Sequence, residues 1–176
     1  MRPVRYNVAA SLDGFITDAG GGFDWIPHDP AVDFDALFAK VDTVLLGRRS
    51  WETVQAMGGG AWPAGARIYV FSRTLTPEAT PDVHVVAEDA AAVVAALRAE
   101  PGDGEIWLFG GGTLAATLFA AGLVDRVEVT VVPVLLGAGT PLVAAGIPRT
   151  TLELTGTTRY PSGLVTLAYA VRASTA

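Results

Sequence analysis

The sequence predicts one α/β domain in which helices cover both faces of a mixed sheet. Short runs of β-branched residues alternate with alanine-rich amphipathic segments, a pattern typical of layered α/β folds. The last two strand-like runs are separated only by a short Pro/Gly loop, residues 159–163, which is typical of a hairpin. We therefore expect a three-layer α/β/α domain with a mixed eight-stranded sheet and an antiparallel C-terminal hairpin.

The predicted strands follow the apolar and β-branched runs. Runs without any polar residue, such as Val44-Leu45-Leu46, indicate strands that are buried on both faces of the sheet. The eight predicted strands are residues 4–10, 43–46, 67–72, 83–87, 105–109, 126–132, 151–158 and 164–172.

The predicted helices lie between these strands, at residues 31–40, 50–57, 90–99 and 113–121. The third places Val93, Val94 and Leu97 on one face at helical spacing, so it has an apolar stripe for the core.

Length and composition restrict the classes of function. We expect residues 1–176 to form one domain, since a single domain commonly has about 100 to 200 residues. The net charge is −6 and no basic run is longer than Arg48-Arg49, so nucleic acid is not an expected partner. Without cysteine, and with only His28 and His84, the chain has no disulfide, no thiolate nucleophile and no predicted metal site.

The N-terminus lacks the apolar core and cleavage site of a signal peptide, so we expect a cytoplasmic protein. Residues 129–148 carry no charge and are long enough to span a bilayer, but prolines and glycines interrupt them. We interpret this stretch as a strand followed by a loop, and we expect no membrane association.

A glycine-rich turn gives the clearest chemical signal. The strand at 105–109 is followed by Gly110, Gly111 and Gly112, and Thr113 opens a helix. Glycines allow close approach of a pyrophosphate, and the helix start offers unpaired N–H groups to it. The motif lies late in the chain, which disfavours a Rossmann fold. A tight strand-to-helix turn without a ligand is the alternative interpretation.

Two further strand ends repeat this combination. One continues into Gly47-Arg48-Arg49-Ser50 and a helix, and the other into Ser72 and Arg73. Each arginine alone could be a solvated surface residue, but ligands of α/β sheets gather where strand ends and helix starts converge. Clustered guanidiniums favour a cofactor with an additional 2′-phosphate, and thus NADP over NAD.

The loop after the first strand, residues 11–27, combines three consecutive glycines with aromatic residues. It is typical of a flap that closes over a flat ring, with Asp13 and Trp25 as candidate substrate contacts. The alternatives are an ordinary surface loop in which Trp25 covers the core, and a turn in which Asp13 precedes Gly14.

Five segments, in this order, resemble the dihydrofolate reductase-like superfamily. The similarity is closest to the reductase domain of the bacterial riboflavin-biosynthesis deaminase/reductase, and it extends over nearly the whole chain. The segments are Ala9-Ala10-Ser11-Leu12-Asp13-Gly14-Phe15-Ile16, Gly47-Arg48-Arg49-Ser50-Trp51-Glu52, Phe71-Ser72-Arg73-Thr74, Leu108-Phe109-Gly110-Gly111-Gly112-Thr113-Leu114 and Pro133-Val134-Leu135-Leu136-Gly137-Ala138-Gly139.

The resemblance implies a homodimeric reductase that binds NADPH at the carboxyl ends of the strands. Ala9 and Ile16 would lie along the nicotinamide, and Ser72 and Arg73 would bind the 2′-phosphate. The remaining phosphate contacts would come from Gly47, Arg48, Arg49, Ser50 and the five residues Gly110, Gly111, Gly112, Thr113 and Leu114.

The resemblance also implies an acid on the first helix, where Asp33 is the nearest match and Asp35 its rival. Thr130 matches a threonine that hydrogen-bonds this acid in dihydrofolate reductases. Both acids could instead stabilise the helix N-terminus. We therefore expect an NADPH-dependent reductase of a small flat heterocycle or carbonyl compound; the alternative is a nucleotide-binding module without turnover. The apolar segment 131–136 is a candidate dimer interface.

Overall fold

The computed structural model describes residues 1–60, 62–76, 80 and 82–172. The strands of the main sheet are β1 (Val4–Ser11), β3 (Val41–Gly47), β4 (Arg67–Phe71), β5 (His84–Val86), β6 (Glu105–Gly110), β7 (Arg126–Val132), β9 (Leu152–Arg159) and β10 (Val165–Val171). These eight strands lie in the order β5-β4-β3-β6-β1-β7-β10-β9. All neighbouring pairs from β5 to β7 are parallel, whereas β10 is antiparallel to both β7 and β9. The predicted mixed sheet and C-terminal hairpin are confirmed.

Two hydrophobic clusters lie on opposite faces of this sheet. On the first face, α3 (Ala90–Ala99) and α4 (Gly112–Ala120) pack with residues such as Tyr6, Leu108 and Val129. On the second face, α1 (Phe34–Phe38) packs with Val44, Leu46 and Trp107, and α2 (Arg48–Ala56) lies beside β3 and β4. The three-layer arrangement agrees with the prediction.

Two short strands and the length of α1 differ from the prediction. The short strands β2 (Phe15–Thr17) and β8 (Thr140–Pro141) pair with each other in a separate ribbon, inside segments that we expected to be loops. Helix α1 has five residues instead of the predicted ten, because Asp33 caps its N-terminus and β3 begins soon after its end. No helix in the described part of the chain has the length and apolarity to cross a membrane.

The parallel strands bring several loops to one edge of the sheet. Strands β3, β6, β1 and β7 are consecutive neighbours and run in the same direction. The segments that follow them, which begin near residues 12, 48, 111 and 133, therefore start at the same edge. This edge holds most of the residues that the sequence marks as a cofactor site.

Candidate functional site

Two strand-to-helix turns meet at the centre of this edge. A Cβ atom placed on Gly47 would lie 3.7 Å from the backbone nitrogen of Gly111 and 3.9 Å from the carbonyl oxygen of Gly110. Because β3 and β6 are adjacent, the absence of side chains at these positions lets the two turns approach each other. We call Gly47, Ser50, Gly110 and Gly111, together with Ile16, the glycine cradle.

The cradle contains the N-termini of two helices. Helices α2 and α4 each have nine residues, and their N-cap residues are Gly47 and Gly111. Neither glycine can provide a side-chain cap, so the first N–H groups of both helices remain available for another acceptor. Two helix N-termini at one edge of a sheet create a partial positive charge that attracts phosphate groups.

Ser50 and Ile16 form the walls of the cradle. A Cβ atom on Gly111 would lie 3.5 Å from Ser50 Oγ and 3.9 Å from Ile16 Cδ1. Gly110 has a φ of +146°, a backbone conformation that favours glycine. The structure therefore brings together the predicted phosphate residues Gly47, Ser50, Gly110 and Gly111, and it places Ile16 beside them.

The last residues of the glycine-rich motif have other contacts. Gly112 is buried, and a Cβ atom there would lie 2.4 Å from the carbonyl oxygen of Pro141. Its own carbonyl accepts a hydrogen bond from Ala144 N at 3.1 Å. The Leu114 side chain lies in the first hydrophobic cluster, whereas Thr113 is exposed. Gly112 and Leu114 therefore hold the turn in place, and only their backbones remain as phosphate contacts.

The arginines near the cradle differ in their partners. Arg48 donates to Glu52 at 2.7 Å within α2. Arg49 and Arg73 are exposed, and neither forms an ion pair with a carboxylate of the described residues. Their guanidiniums are available for an anionic ligand at this edge.

Ser72 is buried and shapes the turn after β4. Its Oγ accepts hydrogen bonds from the backbone nitrogens of Thr74, at 3.1 Å, and Leu75, at 3.0 Å. These bonds use the acceptor capacity of the hydroxyl, and its hydrogen faces Thr74 Oγ1 at 3.4 Å. Ser72 thus orients the segment that carries Arg73.

Asp13, a predicted substrate contact, fastens two loops to each other. Its carboxylate accepts hydrogen bonds from Gly137 N at 2.7 Å, Leu136 N at 3.1 Å and Ser11 Oγ at 2.6 Å. The hydrogen bond from Ser11, followed by that from Gly137, lowers the pKa of Asp13. An ionised carboxylate with these donors holds the loop after β1 against the loop after β7.

Side-chain hydrogen bonds fix the course of the chain within the predicted flap and in the segment after it. Trp25 is half-buried, and its Nε1 donates to the carbonyl of Gly22 at 3.2 Å. Asp29 is buried and accepts from Ser162 N at 3.3 Å, which connects the segment before α1 to the β9–β10 turn. The residues from 18 to 33 therefore cross from the ribbon of β2 and β8 to the C-terminal hairpin.

The predicted acid and its threonine have separate partners. Asp33 is exposed and, as N-cap of α1, accepts a hydrogen bond from Ala36 N at 2.9 Å. Thr130 Oγ1 lies 2.7 Å from Thr166 Oγ1 on the neighbouring strand β10. These two contacts do not connect Asp33 with Thr130.

A polar surface on the central strands was not predicted from the sequence. Asn7, Ala9, Glu128, Thr130 and Thr166 lie on the face of β1, β7 and β10 opposite the first hydrophobic cluster, and all five are partly exposed. We call these residues the polar floor. The sequence feature that could have revealed this surface is the alternation of polar and apolar residues along β7, because such alternation indicates one buried and one accessible face of the strand.

Among the described residues, no group of three or more His, Cys, Asp or Glu side chains could hold a metal ion. The fit of the residues to a dinucleotide cofactor instead depends on the cradle. Gly47 and Gly111 leave the backbones of both turns without covering side chains, and two uncapped helix N-termini with two accessible arginines match the charge of phosphates.

Comparisons with known proteins identify relatives of this chain. The family model described as the RibD C-terminal domain matches residues 2–166. The uncharacterised protein YyaP of Bacillus subtilis (strain 168) is 31% identical over 96% of this chain and 94% of its own length.

Two solved structures have the same fold. A protein of Shewanella sp. PV-4 assigned to riboflavin biosynthesis is 27% identical, with a TM-score of 0.83 over 98% of this chain and 100% of that chain. The diaminohydroxyphosphoribosylaminopyrimidine deaminase/5-amino-6-(5-phosphoribosylamino)uracil reductase of Thermotoga maritima is 16% identical, with a TM-score of 0.69 over 97% of this chain and 57% of that chain.

Proposed function

The chain belongs to the family of RibD C-terminal domains, and from this premise we propose that it is an NADPH-dependent reductase of a small, flat, pyrimidine-like heterocycle. The family supports an oxidoreductase, because the Thermotoga maritima protein that shares this fold over 57% of its length combines a deaminase with a reductase of a uracil derivative. The family is identified from the sequence, whereas the cofactor and the substrate class are our proposal.

The observation that best supports the proposed cofactor site is the glycine cradle, where two glycine turns and two helix N-termini meet. Glycine at positions 47 and 111 would let a pyrophosphate approach the backbone N–H groups of both turns, beside Ser50 Oγ. Arg49 would contribute further positive charge from the first turn of α2. Arg73 would bind the 2′-phosphate, with Ser72 fixing the turn from which it extends.

When bound, the cofactor supplies the hydride for the reduction. The protein holds the reacting groups close together and excludes water. Ile16 lies beside Gly111, and Ala9 lies on the polar floor opposite Thr130, so these two residues border the space between the cradle and the floor. The nicotinamide would lie along them, with its reactive face toward a substrate on the floor.

A proton must accompany the hydride when a C=N or C=O bond is reduced. We propose Asp33 as its source, at the N-terminus of α1 on the same side of the sheet as the polar floor. In this position Asp33 also caps the helix, and its hydrogen bond from Ala36 leaves one carboxylate oxygen for other partners. Thr130 would contribute to substrate binding. Thr130 and Thr166 share one hydrogen bond between their hydroxyl groups, so one of the two hydroxyl hydrogens remains for a substrate atom.

Turnover of NADPH tests the proposed reaction. Purified protein would be mixed with NADPH and a panel of pyrimidinones, dihydropterins and carbonyl compounds, and absorbance at 340 nm would be followed. We expect at least one pyrimidine-like compound to accelerate NADPH oxidation. If NADPH binds but no member of the panel is reduced, the result supports the alternative of a nucleotide-binding module, in which the Asp33 carboxylate serves only as a helix cap.

We also propose a homodimer that uses the exposed part of the predicted segment 131–136 together with the edge strand β9. Val131 and Val132 of the predicted segment 131–136 belong to strand β7, and Val132 is buried. Leu135 is 70% exposed, and Leu154 on the edge strand β9 is 57% exposed. Light scattering coupled to size-exclusion chromatography tests this proposal, and a monomeric mass at 50 μM or higher would contradict it.

A further inference from the structure

The polar floor occupies an unusual place in the sheet. Strands β1 and β7 are central, and central strands of parallel sheets are normally covered on both faces. Their first face is covered by α3 and α4, but the second hydrophobic cluster contains no residue of β1, β7 or β10. The floor, which includes Ala9, is therefore an accessible polar surface. The substrate of the proposed reductase would lie on it.

Glu128 is the charged residue of this floor. It ends a row of charges in which Arg126 contacts Glu105, Glu105 contacts Arg5, and Arg5 contacts Glu128. Glu105 lies between two arginines and is buried, whereas the Glu128 side chain is 23% exposed. Within the described part of the chain, Arg5, at 3.5 Å, is its one cationic partner. Glu128 is therefore the carboxylate of the row with capacity for another donor.

The hydrogen bonds of the floor leave acceptors unused. Asn7 Nδ2 donates to Glu128 Oε2 at 2.8 Å, and Arg5 approaches the same oxygen. A carboxylate only accepts hydrogen bonds, so the amide of Asn7 must present its NH₂ group to Glu128, and its Oδ1 points elsewhere. Among the residues that the structure describes, neither Glu128 Oε1 nor Asn7 Oδ1 has a hydrogen-bond donor.

We propose that Glu128 and Asn7 recognise an N–H edge of the substrate ring, such as an exocyclic amino group next to a ring N–H. Asn7 and Glu128 are neighbours on β1 and β7, each with one free acceptor, and two neighbouring N–H donors of a ring would match them. The charge of Glu128 strengthens the contact. The same charge disfavours a phosphate or carboxylate at this edge. This inference rests on the proposed function, because it assigns the orientation of a substrate beside the cofactor.

Ligand binding tests the subsite without requiring turnover. Calorimetry would measure the affinities of 5,6-diaminouracil and uracil for the wild-type chain, with and without NADP⁺. The variants are Glu128→Gln and, in case loss of the Arg5 partner impairs folding, Asn7→Ala. Glu153→Gln is the matched control, because Glu153 pairs with Arg172 on the edge of the sheet. Melting temperatures and NADPH affinities would be measured for every variant.

We expect wild type to bind 5,6-diaminouracil more tightly than uracil. Removal of one charge-assisted hydrogen bond should weaken binding of the diamino compound about tenfold or more in Glu128→Gln, with less than about a twofold change for uracil. Asn7→Ala should show a smaller loss in the same direction, and Glu153→Gln should resemble wild type. Equal effects on both ligands, or no preference in wild type, would overturn the inference. NADPH affinity reports separately on the proposed function: a Glu128-dependent preference without NADPH binding would support this subsite and refute the reductase.

Discussion

Alanine substitutions at Gly111 and Gly112 separate cofactor binding from stability, although the two glycines are adjacent. A Cβ atom at Gly111 would make ordinary contacts, 3.5 Å from Ser50 Oγ and 3.9 Å from Ile16 Cδ1. The backbone of Gly111, with φ −99° and ψ −170°, is accessible to alanine. A Cβ atom at Gly112 would lie only 2.4 Å from the carbonyl oxygen of Pro141. The first methyl group enters the cradle, and the second collides with the supporting loop.

The expected magnitudes follow from these distances. Relief of the contact at Gly112 requires Pro141 and α4 to separate by about 0.6 Å, and overpacking of this kind costs about 1–3 kcal/mol. For a domain of this size, that cost lowers Tm by about 3–10 °C. Gly111→Ala loses only a favourable N-cap residue, at about 1 kcal/mol or less, so its Tm should fall by less than about 3 °C. The methyl group should raise the Kd for NADPH at least about tenfold, because it occupies the space of the pyrophosphate.

Thermal unfolding followed by circular dichroism, together with calorimetric titration of NADPH, measures both effects. We expect Gly111→Ala to be stable and defective in binding. Gly112→Ala should be destabilised, with binding affected less at temperatures where it is folded. Wild-type affinity in Gly111→Ala would show that the space between the two turns does not hold the cofactor. An unchanged Tm in Gly112→Ala would refute the packing of Gly112 against Pro141.

Three further predictions concern individual charged residues. Arg73→Ala should weaken NADPH binding about 10–100-fold and leave NADH binding nearly unchanged, as measured by fluorescence titration; equal losses for both cofactors would remove Arg73 from the 2′-phosphate site. Asp33→Asn should lower kcat about 100-fold with little change in NADPH affinity or Tm, since asparagine caps helices as well as aspartate does; an unchanged kcat would assign the proton to Asp35, Asp13 or water. Asp13→Asn should lower Tm at pH 7. The hydrogen bonds from Ser11 and Gly137 lower the pKa of Asp13 in the folded chain, so its stabilisation is present above the ordinary pKa of 3.8 and is lost as the pH falls through the lowered value. The difference in Tm between Asp13→Asn and wild type should therefore shrink in acid, and a constant difference from pH 7 to pH 2 would contradict this explanation.

The parts of the fold that depend on local pattern were predictable. Strand β3 and the start of α2 follow from an apolar run that ends at Gly47, and β6 with α4 follows in the same way. The hairpin of β9 and β10 follows from the short loop between two strand-like runs. Each of these elements is specified by residues close together in the chain, which is why their bounds agree with the structure to within a few residues.

The remaining features depend on contacts between distant residues. Strands β2 and β8 have three and two residues and exist only because they pair with each other. The contact of Gly112 with Pro141 and the bonds of Asp13 to Leu136 and Gly137 likewise join segments far apart in sequence. No local pattern distinguishes a glycine that lines a ligand site from one that touches a neighbouring loop.

The polar floor shows the same limitation at the level of the sheet. Asn7 and Glu128 are 121 positions apart and become neighbours only when β1 pairs with β7. The alternation of polar residues within each strand was readable, but the face on which they meet depends on strand order. The second hydrophobic cluster, on which α1 packs, does not extend to that face of β1, β7 and β10, and the short α1 itself was not predicted.

Backbone NMR of the isotopically labelled chain during titration with NADPH tests the location of the cofactor most directly. We expect saturable shifts of the amide signals of Gly47, Ser50, Gly110, Gly111 and Ile16, with a further group around Arg73. The signals of residues at the opposite edge of the sheet should not move. Absence of shifts at millimolar NADPH, or shifts that avoid the glycine cradle, would contradict the assignment of this edge as the cofactor site.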